Sequence, residues 1–292
     1  MIIVAGGTGT LGARLVPCLA GAGLPVRVLT RDPARARHLA GHAVEVACGD
    51  VRDPGSLTAA LQGAGTVISA MHGFARPGRV SPATVDRAGN ANLIGAAARA
   101  GADFVLVSVV GAAPAHPIGL FRAKHAAEQT LRASGIGWTI VRATAFMETW
   151  ATIMSQMLEA SGKIVVFGRG DNPVNFVSAG DVAALIARAV TDPGLRGQVL
   201  EIGGPDNLTF NQVAAIVQGT AGRRGTVRHI PRPALCAMAW LTAAIKPHLA
   251  RQARAALVMD TLDMTFDPAP ARRAFPGLPN TDMAAAIREL LA

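Results

Sequence analysis

The run Gly6-Gly7-Thr8-Gly9-Thr10-Leu11-Gly12 directly follows the apolar stretch Ile2-Ile3-Val4-Ala5 and directly precedes a segment of helical period. Glycines here remove the Cβ atoms that would keep the backbone away from a neighbour. Between a strand and a helix, such a run lets free main-chain N–H groups face an anion, and the helix dipole adds to the attraction. The pattern carries meaning only in that strand, loop, helix order. It predicts a phosphate-bearing ligand at the carboxyl end of the first strand, in a fold where strands feed helices.

The rest of the chain keeps this alternation. Val26–Thr30, Val44–Ala47, Thr66–Ser69, Phe104–Ser108 and Trp138–Arg142 are continuous apolar runs, as expected of strands covered on both faces. Leu11–Ala22, Ala34–Ala40, Ser56–Leu61, Pro82–Ala100 and Phe121–Ala133 have helical period, with Gly101 and Gly135 placed as C-terminal caps. The expected class is α/β, a doubly wound parallel sheet of Rossmann type over residues 1–145. Beyond Arg142 the rhythm loosens. Lys163–Gly168, Asn175–Val177 and Val199–Ile202 read as strands and Asp181–Thr191 as a helix, while Phe146–Trp150 reads as apolar packing after the sixth strand. Residues 146–292 are expected to form a smaller substrate-side capping region, packed on the first and interleaved with it.

With 292 residues, 50% of them hydrophobic, the chain can bury a large core. No run of about eighteen uninterrupted apolar residues exists, so no transmembrane segment is expected, and Ala234–Ile245 is too short to span a bilayer. That helix is expected to cap a pocket or to offer a contact for an oligomer or a partner protein. The net charge of +9 comes from scattered arginines without interleaved aromatics, which argues against nucleic acid and for anionic small molecules. Cys18, Cys48 and Cys236 are odd in number and far apart, fitting neither a disulfide framework nor a metal site. A cytoplasmic protein is expected, because Met1–Ala5 runs straight into the glycine loop without a secretory leader.

The end of the second strand refines the ligand. A carboxylate at this place grips the ribose 2′-hydroxyl in NAD-binding proteins, but here Thr30 is followed by Arg31. A guanidinium suits a 2′-phosphate through two parallel N–H contacts. With Arg35 or Arg37 in support, NADP(H) is expected rather than NAD(H). Asp32, before Pro33, reads as an N-cap. Asp50, after the third strand, is either an adenine contact or a cap on the next turn. Ala70 and Met71 should run beside the nicotinamide half, with His72 able to donate to a substrate. Asp86, Asn90 and Asn92 either support the active-site loop or form a solvated polar face, and the solvated face is the expected reading.

The glycine loop, Arg31, Gly49-Asp50, Ser108–Ala112, Ala123–Glu128 and Trp138–Arg142 together resemble an atypical short-chain dehydrogenase/reductase of the NmrA-like group, over roughly Met1 to Thr220. Phe176–Ala183 and Glu201–Pro205 resemble the substrate-side elements of such proteins. The resemblance implies a cofactor held by Gly6, Gly7, Thr8, Gly9, Thr10, Leu11, Gly12, Arg31, Asp50, Ala70, Met71 and Lys124. It also exposes a departure. Most carbonyl-reducing members carry a tyrosine four residues before a lysine, whereas here Leu120 precedes Lys124 and the chain contains no tyrosine. Lys124 is one of three lysines among 28 basic residues, so its position is selective for an ammonium. An ammonium can donate to a ribose or exchange a proton, which a guanidinium cannot readily do. Lys124, Ser108 and His72 are the candidate catalytic groups. The resulting expectation is an NADPH-dependent reductase of a quinone-like or conjugated carbonyl substrate, and the alternative is a non-catalytic NADP(H)-binding sensor or assembly protein.

Overall fold

In the computed structural model, residues 1–41, 43–74, 78 and 80–291 are described. Strand β1 (Ile2–Ala5) leads through the glycine loop into α1 (Gly12–Gly21), then β2 (Val26–Thr30), β3 (Val44–Cys48), the short α2 (Leu57–Ala60) and β4 (Thr66–Ser69). A π-helical turn, Pro82–Arg87, runs into α3 (Ala88–Ala100), followed by β5 (Asp103–Val109), α4 (Gly119–Arg132) and β6 (Trp138–Ala143). Downstream come β7 (Ala145–Phe146), α5 (Met147–Ser161), β8 (Lys163–Phe167), β9 (Val174–Val177), α6 (Ala179–Thr191) and β10 (Val199–Ile202). The chain ends with β11 (Asn207–Leu208), α7 (Phe210–Thr220), β12 (Thr226–Ile230), α8 (Arg232–Leu241), α9 (Pro247–Met259), α10 (Ala269–Ala274) and α11 (Met283–Leu291).

A seven-stranded sheet has the order β3-β2-β1-β4-β5-β6-β10, and β1 pairs in parallel with both β2 and β4. The strand order therefore reverses direction at β1. In doubly wound sheets the crevice at such a reversal, outside the carboxyl ends of the strands, is where ligands bind. The expected α/β class is the observed one. Ile3, Ala5, Val67, Phe104 and Leu106 from the strands pack with Leu57, Leu93, Ile94 and Leu131 from the helices in one core cluster. This burial of strand side chains explains why the strands read as unbroken apolar runs.

The chain divides into two compact units, Met1–Arg142 with Val182–Glu201, and Ala143–Asp181 with Ile202–Ala292. The first unit takes back residues 182–201, which a single boundary between 145 and 146 does not capture. In the second unit, β11, β9 and β7 form one small sheet, and β12 pairs in parallel with β8. Its core joins Met147, Ala151, Met154 and Leu158 of α5 to Phe176, Phe210, Val213 and Ile287. Phe146 ends β7 and Met147–Trp150 opens α5, with Met147 in this core and Trp150 packed against it, in line with the expected apolar packing. Helix α8 stops at Leu241 instead of reaching Ile245, and residues 242–245 form a turn. Among the described residues no helix is long and apolar enough to cross a membrane.

Candidate cofactor site

Gly6 leaves β1 with φ of +92°, in the left-handed region where a Cβ is strained. A Cβ at Gly6 would also lie 2.7 Å from the carbonyl oxygen of Ala70, at the end of β4. At Gly12, a Cβ would overlap the Gly6 carbonyl and the Gly7 backbone. These two glycines let the loop close tightly between β1, β4 and the first turn of α1. The Gly9 N–H donates to the Gly6 carbonyl at 3.0 Å, and the Ala13 N–H to the Gly9 carbonyl at 2.9 Å. Leu11 is buried and anchors the turn, while Gly9 and Thr10 are exposed. The main-chain N–H groups of Gly7, Thr8 and Thr10 donate to no other described residue. An open set of amides at a helix start, on glycines that exclude side chains, fits a dinucleotide pyrophosphate.

Beyond β2, the Arg31 side chain is exposed and makes no hydrogen bond or ion pair with another described residue. Asp32 caps the following turn by accepting the Ala34 N–H at 3.0 Å, and Arg35 and Arg37 are exposed on that turn. Asp50 behaves differently. Its carboxylate accepts the Arg52 main-chain N–H at 2.9 Å and takes the Arg52 guanidinium at 2.5 and 3.0 Å. The hydrogen bond from the Arg52 side chain is the main reason its carboxyl is held below the usual aspartate range. Of the two roles open for Asp50, the turn-capping one is the geometry present.

The other end of the site centres on Lys124, which is buried on α4. Its ammonium donates to the Met71 carbonyl at 2.8 Å and the Val107 carbonyl at 2.9 Å, and lies 3.2 Å from Asp86 Oδ1. Two of its hydrogens thus meet main-chain carbonyls, while its charge is paired with Asp86, whose Oδ1 accepts no hydrogen bond from the described residues. Asp86 Oδ2 accepts the Gly73 N–H at 2.8 Å, so one carboxylate ties the lysine to the loop after β4. Asn90 Nδ2 donates to the Asp86 carbonyl at 2.7 Å, and the Ser69 hydroxyl lies 2.5 Å from Asn90 Oδ1. Asp86 and Asn90 are fully buried, which corrects their reading as a solvated face, and Asn92 donates to the Val51 carbonyl at 2.8 Å. The π-helical turn that carries Asp86 widens the backbone here, a feature frequent at functional sites. His72 is exposed between Met71 and Gly73, whose backbone groups are both anchored.

Ser108 is also buried, and its hydroxyl donates to Glu128 Oε1 at 2.5 Å. Glu128 in turn holds Arg142 at 2.7 and 3.0 Å, and Arg142 reaches Glu201 at 3.1 Å. Glu128 is the main influence that pushes the Arg142 guanidinium pKa upward. Ser108 therefore directs its hydrogen into a structural ion-pair network, and Leu120, at the position of the missing tyrosine, offers no hydroxyl.

A model of the NmrA-like family matches residues 1–255. The chain belongs to the NmrA-like family. An NAD(P)H azoreductase from Xenophilus azovorans is 36% identical over 225 residues, 76% of this chain and 74% of that protein. The crystal structure of an NADPH-dependent quinone oxidoreductase from Escherichia coli, complexed with NADPH, superposes with a TM-score of 0.78 at 25% identity over 100% of both chains. A photosystem II assembly factor from a Synechocystis species is 26% identical over 236 residues, 80% of this chain and 72% of that one.

In this NmrA-like protein, the segment Phe176–Ala183 runs from the end of β9 into the start of α6. Buried Glu148 on α5 accepts the Ser178 hydroxyl at 2.8 Å and the Ala179 N–H at 2.9 Å, placing a carboxylate at the N-terminus of α6. Asp181 accepts the Thr281 hydroxyl at 2.7 Å and pairs with Arg272 at 3.4 Å. Asn175 bridges to Gly204, accepting its N–H at 2.9 Å and donating to its carbonyl at 3.1 Å. Asn175, just before Phe176, thus ties this segment to Gly204 of the Glu201–Pro205 motif.

Proposed function

We propose that this chain is an NADPH-dependent reductase of quinone-like or conjugated acceptors, working without a protein-borne proton donor at the usual tyrosine position. The observation that carries the proposal is the state of Lys124 and Ser108: the ammonium donates to two main-chain carbonyls and is paired with Asp86, and the Ser108 hydroxyl donates to Glu128. The bound nicotinamide supplies a hydride. The glycine loop offers its amides to the pyrophosphate, and Arg31 offers an exposed guanidinium to the 2′-phosphate. Lys124 and Asp86 position the Ala70–Gly73 loop against the glycine loop, and His72 orients the acceptor. Ser108 fixes the end of β5 through Glu128. A ketone needs acid catalysis as hydride arrives, whereas a quinone gives a stabilised oxyanion that takes its proton from water. The names of the azoreductase and quinone oxidoreductase relatives fit acceptors of that kind. The proposal places the protein in the cytoplasm, with three free cysteines.

Purified protein mixed with NADPH and a simple naphthoquinone tests the reading. NADPH oxidation with the quinone and none with a simple ketone is the expected result. Likeness to an assembly factor favours a second reading, in which NADP(H) occupancy alters protein contacts without turnover. That reading requires different affinities for NADP+ and NADPH and no oxidation with any acceptor.

A further inference from the structure

The described residues include three large apolar side chains that stand far more exposed than any others, and all three fall within six positions. Trp240 is 79% exposed, Leu241 63% and Ile245 81%. They occupy the end of α8 and the turn into α9. Their exposure does not come from a missing inner face, because Leu235 and Ala239 of α8 and Ala250 and Ala253 of α9 are buried. Clustered exposed apolar groups of this size mark a surface that meets something.

The surrounding charge indicates what that is. From Asn207 to Met259 the sequence holds seven lysines and arginines and no aspartate or glutamate, against a net charge of +9 for the whole chain. Lys246 directly follows Ile245 and is exposed, and Arg254 is exposed on the helix that begins there. Buried Asp260 neutralises Arg232, which leaves Lys246 and Arg254 as exposed cations of this corner. A second copy of the chain would oppose this positive surface with the same positive surface, which disfavours a symmetric self-contact. A bilayer with anionic headgroups satisfies both features. Its interface accepts an indole and two branched aliphatic chains, and its surface potential draws the lysine and arginines.

We propose that the α8–α9 corner, with Trp240, Leu241 and Ile245 as the inserting groups and Lys246 beside them, is a peripheral docking site for an anionic lipid bilayer. The site belongs to the second unit and the glycine loop to the first, and the proposal does not depend on the reductase reading. Ala234–Ile245, too short to span a membrane, is long enough to rest in its interface.

Sedimentation of the full chain with vesicles of phosphatidylcholine alone, or mixed with phosphatidylglycerol, tests this. Binding to the mixed vesicles that weakens with added salt, and a Trp240→Ser/Ile245→Ser variant that binds at least about tenfold more weakly, are expected. The variant must keep its far-UV circular dichroism and its NADPH affinity. Quenching of wild-type tryptophan fluorescence by lipids brominated on their tails needs no variant. Trp138 packs against the core and Trp150 against Phe210, so Trp240 is the indole placed to be quenched. Absence of both vesicle binding and quenching overturns the proposal. So does a wild-type dimer that forms without lipid and is lost in the variant, which would assign the corner to a second copy.

Discussion

The Lys124 ammonium lies 3.2 Å from Asp86 Oδ1, while the other oxygen of that carboxylate accepts the Gly73 N–H at 2.8 Å. A buried ion pair therefore fastens α4 to the loop that follows β4, beside the glycine loop. In a low dielectric such a pair is costly to break from one side, because the remaining charge loses its partner without regaining water.

Lys124→Met should accordingly lower unfolding stability by about 3–5 kcal/mol. Adding Asp86→Asn to that variant should restore part of the loss. Denaturant unfolding of both variants decides the point, and equal or greater loss in the double variant would remove the pair from the account.

Arg31 carries the choice of cofactor in the proposal. Removing its guanidinium in Arg31→Ala should weaken NADPH binding about ten- to a hundredfold, the effect of one charge-assisted contact, and leave NADH binding unchanged. Titration calorimetry with the two nucleotides gives the comparison. Equal losses for both would place Arg31 away from the 2′-phosphate.

The first unit was largely legible because its chemistry is local. A strand covered on both faces must be apolar throughout, and a loop that approaches β4 at Ala70 must carry glycine at position 6, so both leave marks in a short window. Asp86 and Lys124 leave no such mark. They lie far apart in sequence and meet only once β4, β5 and α4 are assembled, so Asp86 read as solvated although it is fully buried. Helix α5 was missed although Met147, Ala151, Met154 and Leu158 recur at helical spacing and line the second core. The signal was present there, but Glu148 and Thr149 broke the apolar run at its start, and the buried role of Glu148 at the N-terminus of α6 has no local signature.

The second unit carries a pH-sensitive tie. Asp260 is buried, which works to raise its pKa, but the Arg232 guanidinium at 2.6 Å and the N–H groups of Gly170 and Arg169 outweigh burial and hold it below the ordinary value of 3.8. A carboxyl depressed on folding contributes stability above its unfolded pKa and loses it as pH falls through the folded one. The stability difference between wild type and Asp260→Asn should therefore be full above pH 3.8 and shrink on further acidification. Unfolding free energies measured across that range supply the test. A difference independent of pH would show that the carboxylate charge contributes nothing.

The central claim is hydride transfer to a quinone-like acceptor without a proton donor from the protein, and single-turnover NADPH oxidation by a naphthoquinone tests it most directly. The account predicts a slower reaction when the transferred C4 hydrogen of NADPH is deuterium, and the same rate in light and heavy water. Absence of NADPH oxidation, or a rate governed by the solvent proton, would contradict it.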